Sequence, residues 1–194
     1  MAHTKEAPQQ FTTVEALIEY VRSLGATASD ETPKMTELDH GLQCAYELAL
    51  AAPEDVELQV AGLLHDIAHR MDHEHGGPQH GVLGGQAVIG LMGPRVAELV
   101  ESHVPAKRWL VTRDQAYRSI LSPISIMTLE AQGGTMTDEE ADAFETTTWW
   151  QDALVLRRAD DNAKTPGREV PDLDHWVPAI NALAAGVSAP APAQ

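Results

Sequence analysis

The chain has 194 residues, of which 43% are hydrophobic and 22% charged, with a formal net charge of −16; these values suit one globular domain and argue against disorder away from the ends. So acidic a chain lacks the net positive face that nucleic acid and anionic lipid require, and we expect neither as a partner. Because Cys44 is the single cysteine, no intramolecular disulfide can form, which fits a reducing compartment. The apolar stretches are too short for a membrane span, and no secretory signal is visible, so we expect a cytoplasmic protein.

Helical spacing of apolar residues runs through most of the chain. Val14, Leu17 and Val21 recur at the interval of one helix face. Thr13 before them is a candidate N-cap, and Thr36 opens a second helix. No segment alternates with a period of two, and hairpin signals are absent. We predict helices over nine stretches: 14–25, 36–51, 53–67, 80–92, 94–103, 113–128, 137–144, 149–160 and 173–183.

This pattern predicts an all-α fold, a single bundle of about seven to nine helices. The domain is expected to cover residues 1–187. The Ala- and Pro-rich end, 188–194, is expected to be a flexible tail.

A His-Asp pair lies in the most apolar predicted helix. Leu63, Leu64 and Ile67 flank His65 and Asp66. A buried carboxylate costs several kcal/mol unless it is paired or bound to a metal. Taken alone, the pair has a simple structural interpretation, an imidazole hydrogen-bonded to a carboxylate in the core.

Two further polar residues on core-facing segments favour a metal site over a structural pair. His40 lies among the apolar residues of the second predicted helix, and Asp160 follows the apolar run 153–156. Two imidazoles and two carboxylates form the mixed nitrogen and oxygen set that suits Fe, Mn or Zn. We therefore predict a metal site with four ligands: His40, His65, Asp66 and Asp160.

Two more histidines extend this set. His80 opens the fourth predicted helix, and His103 ends the fifth. Each alone would be interpreted as a surface or helix-terminal residue. Beside the other four, they supply ligands for a second metal ion, with Asp66 as a bridge. His73 and His75 lie in a Gly-rich loop, and we interpret them as solvated.

Basic side chains lie at helical spacing from these ligands, namely His69, Lys107, Arg157 and Lys164. In a chain of net charge −16, this local positive charge suits a dianionic head group. The alternative is that Arg157 and Lys107 neutralise the carboxylates of the site itself. Ser125 could donate to an oxyanion, although a hydroxyl inside a helix is the simpler interpretation.

The order of the six ligands resembles the HD-domain superfamily in its two-metal form, which includes phosphohydrolases and mixed-valent diiron oxygenases. Three stretches, 103–110, 121–125 and 156–164, are similar to the PhnZ-type oxygenases, which cleave carbon–phosphorus bonds, and so is 130–134. The His-x-x-x-Lys-Arg-Trp-Leu and Gln-Gly-Gly motifs within them are more specific for these oxygenases than the metal motif is. The resemblance covers about residues 35–165, the expected metal core.

The resemblance implies an Fe(II)/Fe(III) couple with O₂ as co-substrate. One iron would be held by His40, His65, Asp66 and Asp160. The other would be held by His80, His103 and bridging Asp66, with positions open for substrate and O₂. The implied substrate is a small α-hydroxyphosphonate, which is cleaved to phosphate and a carboxylic acid. The implied substrate-binding residues are His69, Lys107, Ser125, Gln132, Arg157 and Lys164.

One departure from the family pattern concerns the loop before the first histidine. The related oxygenases carry a Tyr and a Glu there that cover the open iron, whereas this loop, 30–34, has no Tyr. Asp30, Glu31 and Glu37 could reach a metal, and we take Glu31 as the candidate gating residue. The alternative functions are a metal-dependent phosphohydrolase and a metal-binding module without chemistry, and the sequence leaves the oligomeric state open.

Overall fold

The computed structural model describes residues 10–29, 32–71 and 79–186, so the predicted tail 188–194 lies outside the described residues. Within those ranges the chain forms nine α-helices, one 3-10 turn and no β-strand beyond an isolated bridge between Ala28 and Thr36. The all-α prediction is therefore confirmed. The helices are α1 (Val14–Ser23), α2 (Glu37–Ala51), α3 (Val56–Leu64), α4 (His80–Arg113), α5 (Gln115–Ile120), α6 (Pro123–Ala131), α7 (Asp138–Phe144), α8 (Trp150–Asn162) and α9 (Leu173–Ala184).

None of the helices in these ranges combines the length and the hydrophobicity that a bilayer-spanning segment needs.

The start of α2 is fixed by a capping box. The backbone N–H of Asp39 donates to Oγ1 of Thr36, and the backbone N–H of Thr36 donates to the Asp39 carboxylate. This reciprocal pair satisfies two donors that the first turn would leave unpaired. It also sets the phase of α2, which buries His40 and Gly41 in the core.

Two glycines let α2 and α3 pack closely. A Cβ atom at Gly41 would lie 2.6 Å from the backbone carbonyl oxygen of Leu63, so only glycine allows this approach. A Cβ atom at Gly62 would lie 2.4 Å from Cδ1 of Leu48, the end of a flexible side chain. The close packing puts His40 on α2 beside the end of α3, and α8 packs against α2, α3 and α4.

The long helix α4 is a helical hairpin. Gly93 has φ 81° and ψ 174°, a conformation that favours glycine, and the chain reverses direction there. We call residues 80–92 the first arm and residues 94–113 the second arm. A Cβ atom at Gly85 would lie 2.8 Å from the carbonyl oxygen of Ala97, so the two arms pack closely side by side. This reversal places the start of the first arm beside the middle of the second.

Two predicted helix ends are wrong. The predicted helix 53–67 ends at Leu64, because His65 Nδ1 lies 2.8 Å from the carbonyl oxygen of Gly62, which the next helical turn would otherwise use. The predicted helix 94–103 continues past Pro105 to residue 113. Burial of apolar side chains on that stretch outweighs the hydrogen bond that the proline lacks.

The predicted helix 113–128 is two helices. Leu121 and Ser122 are extended, with ψ of 139° and 158°. For Ser122 the reason is Pro123, since a residue before proline disfavours the helical region. Ser122 then caps α6 by accepting a hydrogen bond from the backbone N–H of Ser125 at 3.0 Å. The break places Ser125 in the first turn of a new helix, where it is buried.

Candidate metal centre

The six predicted ligands meet in the middle of the bundle. They come from α2, the turn after α3, both arms of α4, and α8. Their donor atoms form two groups, and within each group the atoms lie no more than 4.8 Å apart. We call the two groups the first triad, His40, His65 and Asp160, and the second triad, Asp66, His80 and His103.

The first triad is deeply buried. His40 Nε2 lies 3.2 Å from His65 Nε2 and 3.2 Å from Asp160 Oδ1. His65 Nε2 lies 3.8 Å from Asp160 Oδ2. Two nitrogens and a carboxylate therefore converge on one point.

The second triad is assembled by the hairpin of α4. His80 is on the first arm and His103 on the second, and their Nε2 atoms lie 2.8 Å apart. Asp66 Oδ1 lies 3.5 Å from His80 Nε2 and 3.4 Å from His103 Nε2.

Asp66 also faces the first triad. Its other oxygen, Oδ2, lies 3.4 Å from His40 Nε2 and 3.2 Å from His65 Nε2. One carboxylate thus presents one oxygen to each pair of histidines. This is the arrangement that a bridging ligand requires.

Backbone carbonyls orient three of the four rings. The Nδ1 atoms of His40, His65 and His103 lie 2.9, 2.8 and 2.6 Å from the carbonyl oxygens of Ala163, Gly62 and Val100. A carbonyl only accepts, so Nδ1 carries the hydrogen in each ring. In the neutral ring this leaves the lone pair on Nε2, which points into the site.

These tautomers call for a cation between the rings. In the neutral form the lone pairs of His40 and His65 would oppose each other across 3.2 Å. A positive charge placed between them, a metal ion or a proton, removes the repulsion. The donor set of the first triad therefore fits a divalent metal, and the second triad offers the same atom types.

The pKa values of His40 and Asp160 also favour a positive charge among the carboxylates of the site. Burial lowers the pKa of His40, but hydrogen bonds to Asp160 and Asp66 outweigh burial and raise it to about 10. Burial raises the pKa of Asp160, but the charges of Arg157 and Lys164 outweigh it and hold the pKa well below its usual range. These pKa shifts favour an ionised Asp160 and a positively charged His40 in the buried site.

The centre is open on one side. The side chains of Asp66 and His69 are 15% and 11% exposed, whereas the other five ligands are at most 6% exposed. His69 Nε2 lies 3.2 Å from Asp66 Oδ1, and its ring packs edge-on against His80 at 4.5 Å between centroids. His69 therefore lies at the mouth of the second triad.

Lys107 and Gln132 are brought together. The buried Lys107 ammonium donates to Thr128 Oγ1 at 2.7 Å and to Gln132 Oε1 at 3.2 Å. Ser125 lies one turn before Thr128, and its carbonyl accepts from the Thr128 hydroxyl at 3.2 Å. The second arm and α6 thus bring Lys107, Thr128 and Gln132 into contact.

Arg157 and Lys164 lie against carboxylates of the chain. Arg157 donates to Asp160 and Asp161, and Lys164 Nζ lies 3.5 Å from Asp160 and 3.3 Å from Asp161. For Arg157, the contact with Asp160 is the neutralising one that the sequence offered as an alternative for Arg157 and Lys107. Asp161 contacts Arg157, Lys164 and Tyr117, because adjacent helical residues point about 100° apart and Asp161 does not share the direction of Asp160.

Four residues named in the sequence analysis lie outside the described residues. These are Asp30 and Glu31 in the loop of the candidate gate, and His73 and His75, which the sequence assigns to a solvated loop.

Comparison with known proteins places the chain in a family, although no family model matches it. It is 38% identical to the hydroxymethylphosphonate dioxygenase of Gimesia maris over 171 aligned residues, and the alignment covers 84% of each chain. The chain belongs to the organophosphonate dioxygenase family. A second member of this family, the [1-hydroxy-2-(trimethylamino)ethyl]phosphonate dioxygenase (glycine-betaine-forming) of Leisingera caerulea, is 28% identical over 178 residues, 86% of this chain and 90% of the relative.

Membership of the organophosphonate dioxygenase family makes the chain an oxygenase. Together with the two triads, it indicates a metal-dependent one.

An uncharacterised protein, L432 of Acanthamoeba polyphaga mimivirus, is also 31% identical over 150 residues, 73% of this chain and 68% of the relative.

Sequence reasoning missed two residues that contact the predicted residues or their neighbours, Thr128 and Tyr117, and left a third, Glu37, without a role. Thr128 lies three residues after Ser125, so helical spacing could have found it. Tyr117 donates to Asp161 across 44 residues, a contact that no local pattern marks. Glu37 lies three residues before His40 on α2, and its Oε1 is 3.4 Å from His69 Nδ1. The helical spacing of three residues between Glu37 and His40 could have indicated that Glu37 lies on the same face of α2.

Proposed function

We propose that this chain is a diiron oxygenase that uses O₂ to cleave the C–P bond of a small α-hydroxyphosphonate. The observation that carries the proposal is the 38% identity, over 84% of both chains, to a hydroxymethylphosphonate dioxygenase. Addition of O₂ to R–CH(OH)–PO₃H₂ gives R–COOH and H₃PO₄. One oxygen atom is added on each side of the broken bond, so the reaction balances without a further reductant.

The two triads are the proposed iron ligands. His40, His65 and Asp160 would hold one iron, His80 and His103 the other, and Asp66 both. Two irons bound here would supply the redox chemistry for O₂ and Lewis acidity for the hydroxyl and phosphonate oxygens of the substrate. The split of the Asp66 oxygens between the triads supports a bridged pair.

The proposed phosphonate site combines donors from three elements. Lys107, with Ser125 and Gln132, would bind phosphonate oxygens by charge-assisted and neutral hydrogen bonds. His69 lies at the open side of the centre and would face the incoming anion. Arg157 and Lys164 hold Asp160 and Asp161 and add positive charge beside the site.

Oxygen uptake and phosphate release test this function together. Protein loaded with Fe(II) without air is mixed with hydroxymethylphosphonate or a 1-hydroxyethylphosphonate, with and without its 2-trimethylamino group, and then exposed to O₂. We expect one phosphate for each O₂ consumed with at least one of these compounds, and none without O₂. Release of phosphate from a monoester under nitrogen would instead identify a phosphohydrolase.

A further inference from the structure

Glu37 is a buried carboxylate that none of the proposed roles uses. It lies in the first turn of α2, and its side chain is only 2% exposed. Removing a carboxylate from water is unfavourable unless a partner compensates for it. Its Oε1 lies 3.4 Å from Nδ1 of His69, so one partner lies at the mouth of the metal centre.

His69 links Glu37 to the second triad. Its two ring nitrogens face two carboxylates, Glu37 on one side and Asp66 on the other, at 3.4 and 3.2 Å. The Asp66 oxygen that it contacts, Oδ1, is also the oxygen that faces His80 and His103. The orientation of the His69 ring therefore bears on the direction of that oxygen.

We propose that Glu37 is a positioning residue of the metal centre, which fixes the His69 ring and, through it, directs Asp66 Oδ1 toward His80 and His103. The inference rests on the proposed function, because it takes the second triad to be a metal site. Glu37 acts as a hydrogen-bond acceptor in this role and does not coordinate the metal. Outer partners of this kind typically contribute a factor of about 10 to 100 in metal affinity.

Fe(II) binding without air tests the inference through metal affinity. Glu37→Met keeps the volume of the side chain and removes the acceptor, whereas Glu37→Gln keeps an acceptor oxygen and removes the charge. Glu47→Met is the matched control, since Glu47 is on the same helix and pairs with Arg168 away from the centre. Each variant is titrated against a competing chelator, and its metal-free unfolding is recorded beside that of the unchanged chain.

We expect Glu37→Met to weaken one of the two Fe(II)-binding steps, assigned to the second triad, by about 10- to 100-fold and to leave the other step unchanged. Glu37→Gln is expected to restore the affinity, and Glu47→Met to leave it unaltered. Equal losses in Glu37→Gln and Glu37→Met would overturn the inference, since the charge or direct coordination would then matter. So would unchanged affinity in Glu37→Met, or the same loss in Glu47→Met.

The titration separates this inference from the proposed function. If the unchanged chain binds two Fe(II) ions but cleaves no phosphonate, the function fails while the affinities still decide the role of Glu37. If the unchanged chain binds fewer than two Fe(II) ions, the second triad is not a metal site under these conditions, and the inference is overturned.

Discussion

Asp66 is the side chain that both triads share, since each of its oxygens faces a different pair of histidines. We expect Asp66→Ala to lose both metals, because the bridge between the two ions is removed, which leaves the second triad with two imidazoles and the first with His40, His65 and Asp160. Metal analysis after anaerobic loading checks this. Retention of about two irons per chain would contradict the bridging model.

Lys107 offers a second test at the level of single residues. We expect Lys107→Met to raise KM for the phosphonate by about 10- to 100-fold, the size of a lost charge-assisted hydrogen bond, while iron content stays the same. Arg108→Met is the control, because the Arg108 side chain points to Glu140 and the carbonyl of Gly134 instead. Equal KM values for the two variants would remove Lys107 from the substrate site.

The histidine ligands could be found from the sequence because they interrupt apolar helices. His65 and Asp66 stand among Leu63, Leu64 and Ile67, where an unpaired polar group is unfavourable. The contact of Tyr117 with Asp161 could not be found, since it depends on how distant helices pack. The roles of Arg157 and Lys107 were left open for the same reason, because helical spacing does not determine which group a cationic side chain contacts.

At the level of elements, the close approach of the two arms of α4 brings His80 to His103. We expect Gly85→Ala to destabilise the fold by about 1–3 kcal/mol, since its Cβ would lie 2.8 Å from the carbonyl oxygen of Ala97, and to lower the occupancy of the second triad. Urea unfolding and iron analysis measure the two effects.

Gly90 provides the matched control for this substitution. It lies on the same arm, and a Cβ there meets nothing within 4 Å. Gly90→Ala should therefore stabilise the helix by about 0.5–1 kcal/mol. If both alanine variants behave alike, arm spacing does not control the metal site.

Arg95 ties the start of α3 to the second arm and to α8. It donates twice to Asp55, at 2.6 Å each, and once to Asp152 at 2.9 Å. The hydrogen bond from Arg95 holds the pKa of Asp55 below its ordinary value of 3.8. Because the folded-state pKa is the lower one, the stabilisation is present above that value and is lost as the pH falls through the folded pKa.

Asp55→Asn tests this pair and keeps a side chain that can cap α3. We expect the variant to be less stable than the parent by about 1 kcal/mol at neutral pH, a modest figure because the pair is partly exposed. The difference should disappear as the pH falls below about 4. Urea unfolding at several pH values measures it, and a difference that persists in acid would show that charge is not the cause.

The helix boundaries illustrate which parts of an element a sequence encodes. The capping box at Thr36 and Asp39 is local, so the start of α2 could be predicted. The end of α3 depends on a hydrogen bond from the His65 ring to the backbone carbonyl of Gly62. The continuation of the second arm beyond Pro105 depends on the burial of its apolar side chains. Both are properties of the packed molecule that apolar spacing does not contain.

At the level of the whole molecule, the metal centre joins α2, α4, α8 and the turn after α3. Metals that bind only the folded chain stabilise it by mass action, by about 3–4 kcal/mol when the free metal is 100 to 1,000 times the dissociation constant. We therefore expect a chelator to lower Tm, and Fe(II) added without air to restore it. Identical melting curves with and without metal would contradict a site that joins these elements.

Cys44 lies one helical turn after His40 and is completely buried, with Sγ 3.2 Å from the place of a Cβ at Gly62. Burial, reinforced by the charges of Asp160 and Asp66, raises the pKa of this thiol well above its usual range, so it stays protonated at neutral pH. Oxidants attack the thiolate rather than the thiol. The sulfur atom of Cys44, one helical turn from a predicted metal ligand, is therefore held in its less reactive, protonated form in a protein whose proposed reaction uses O₂.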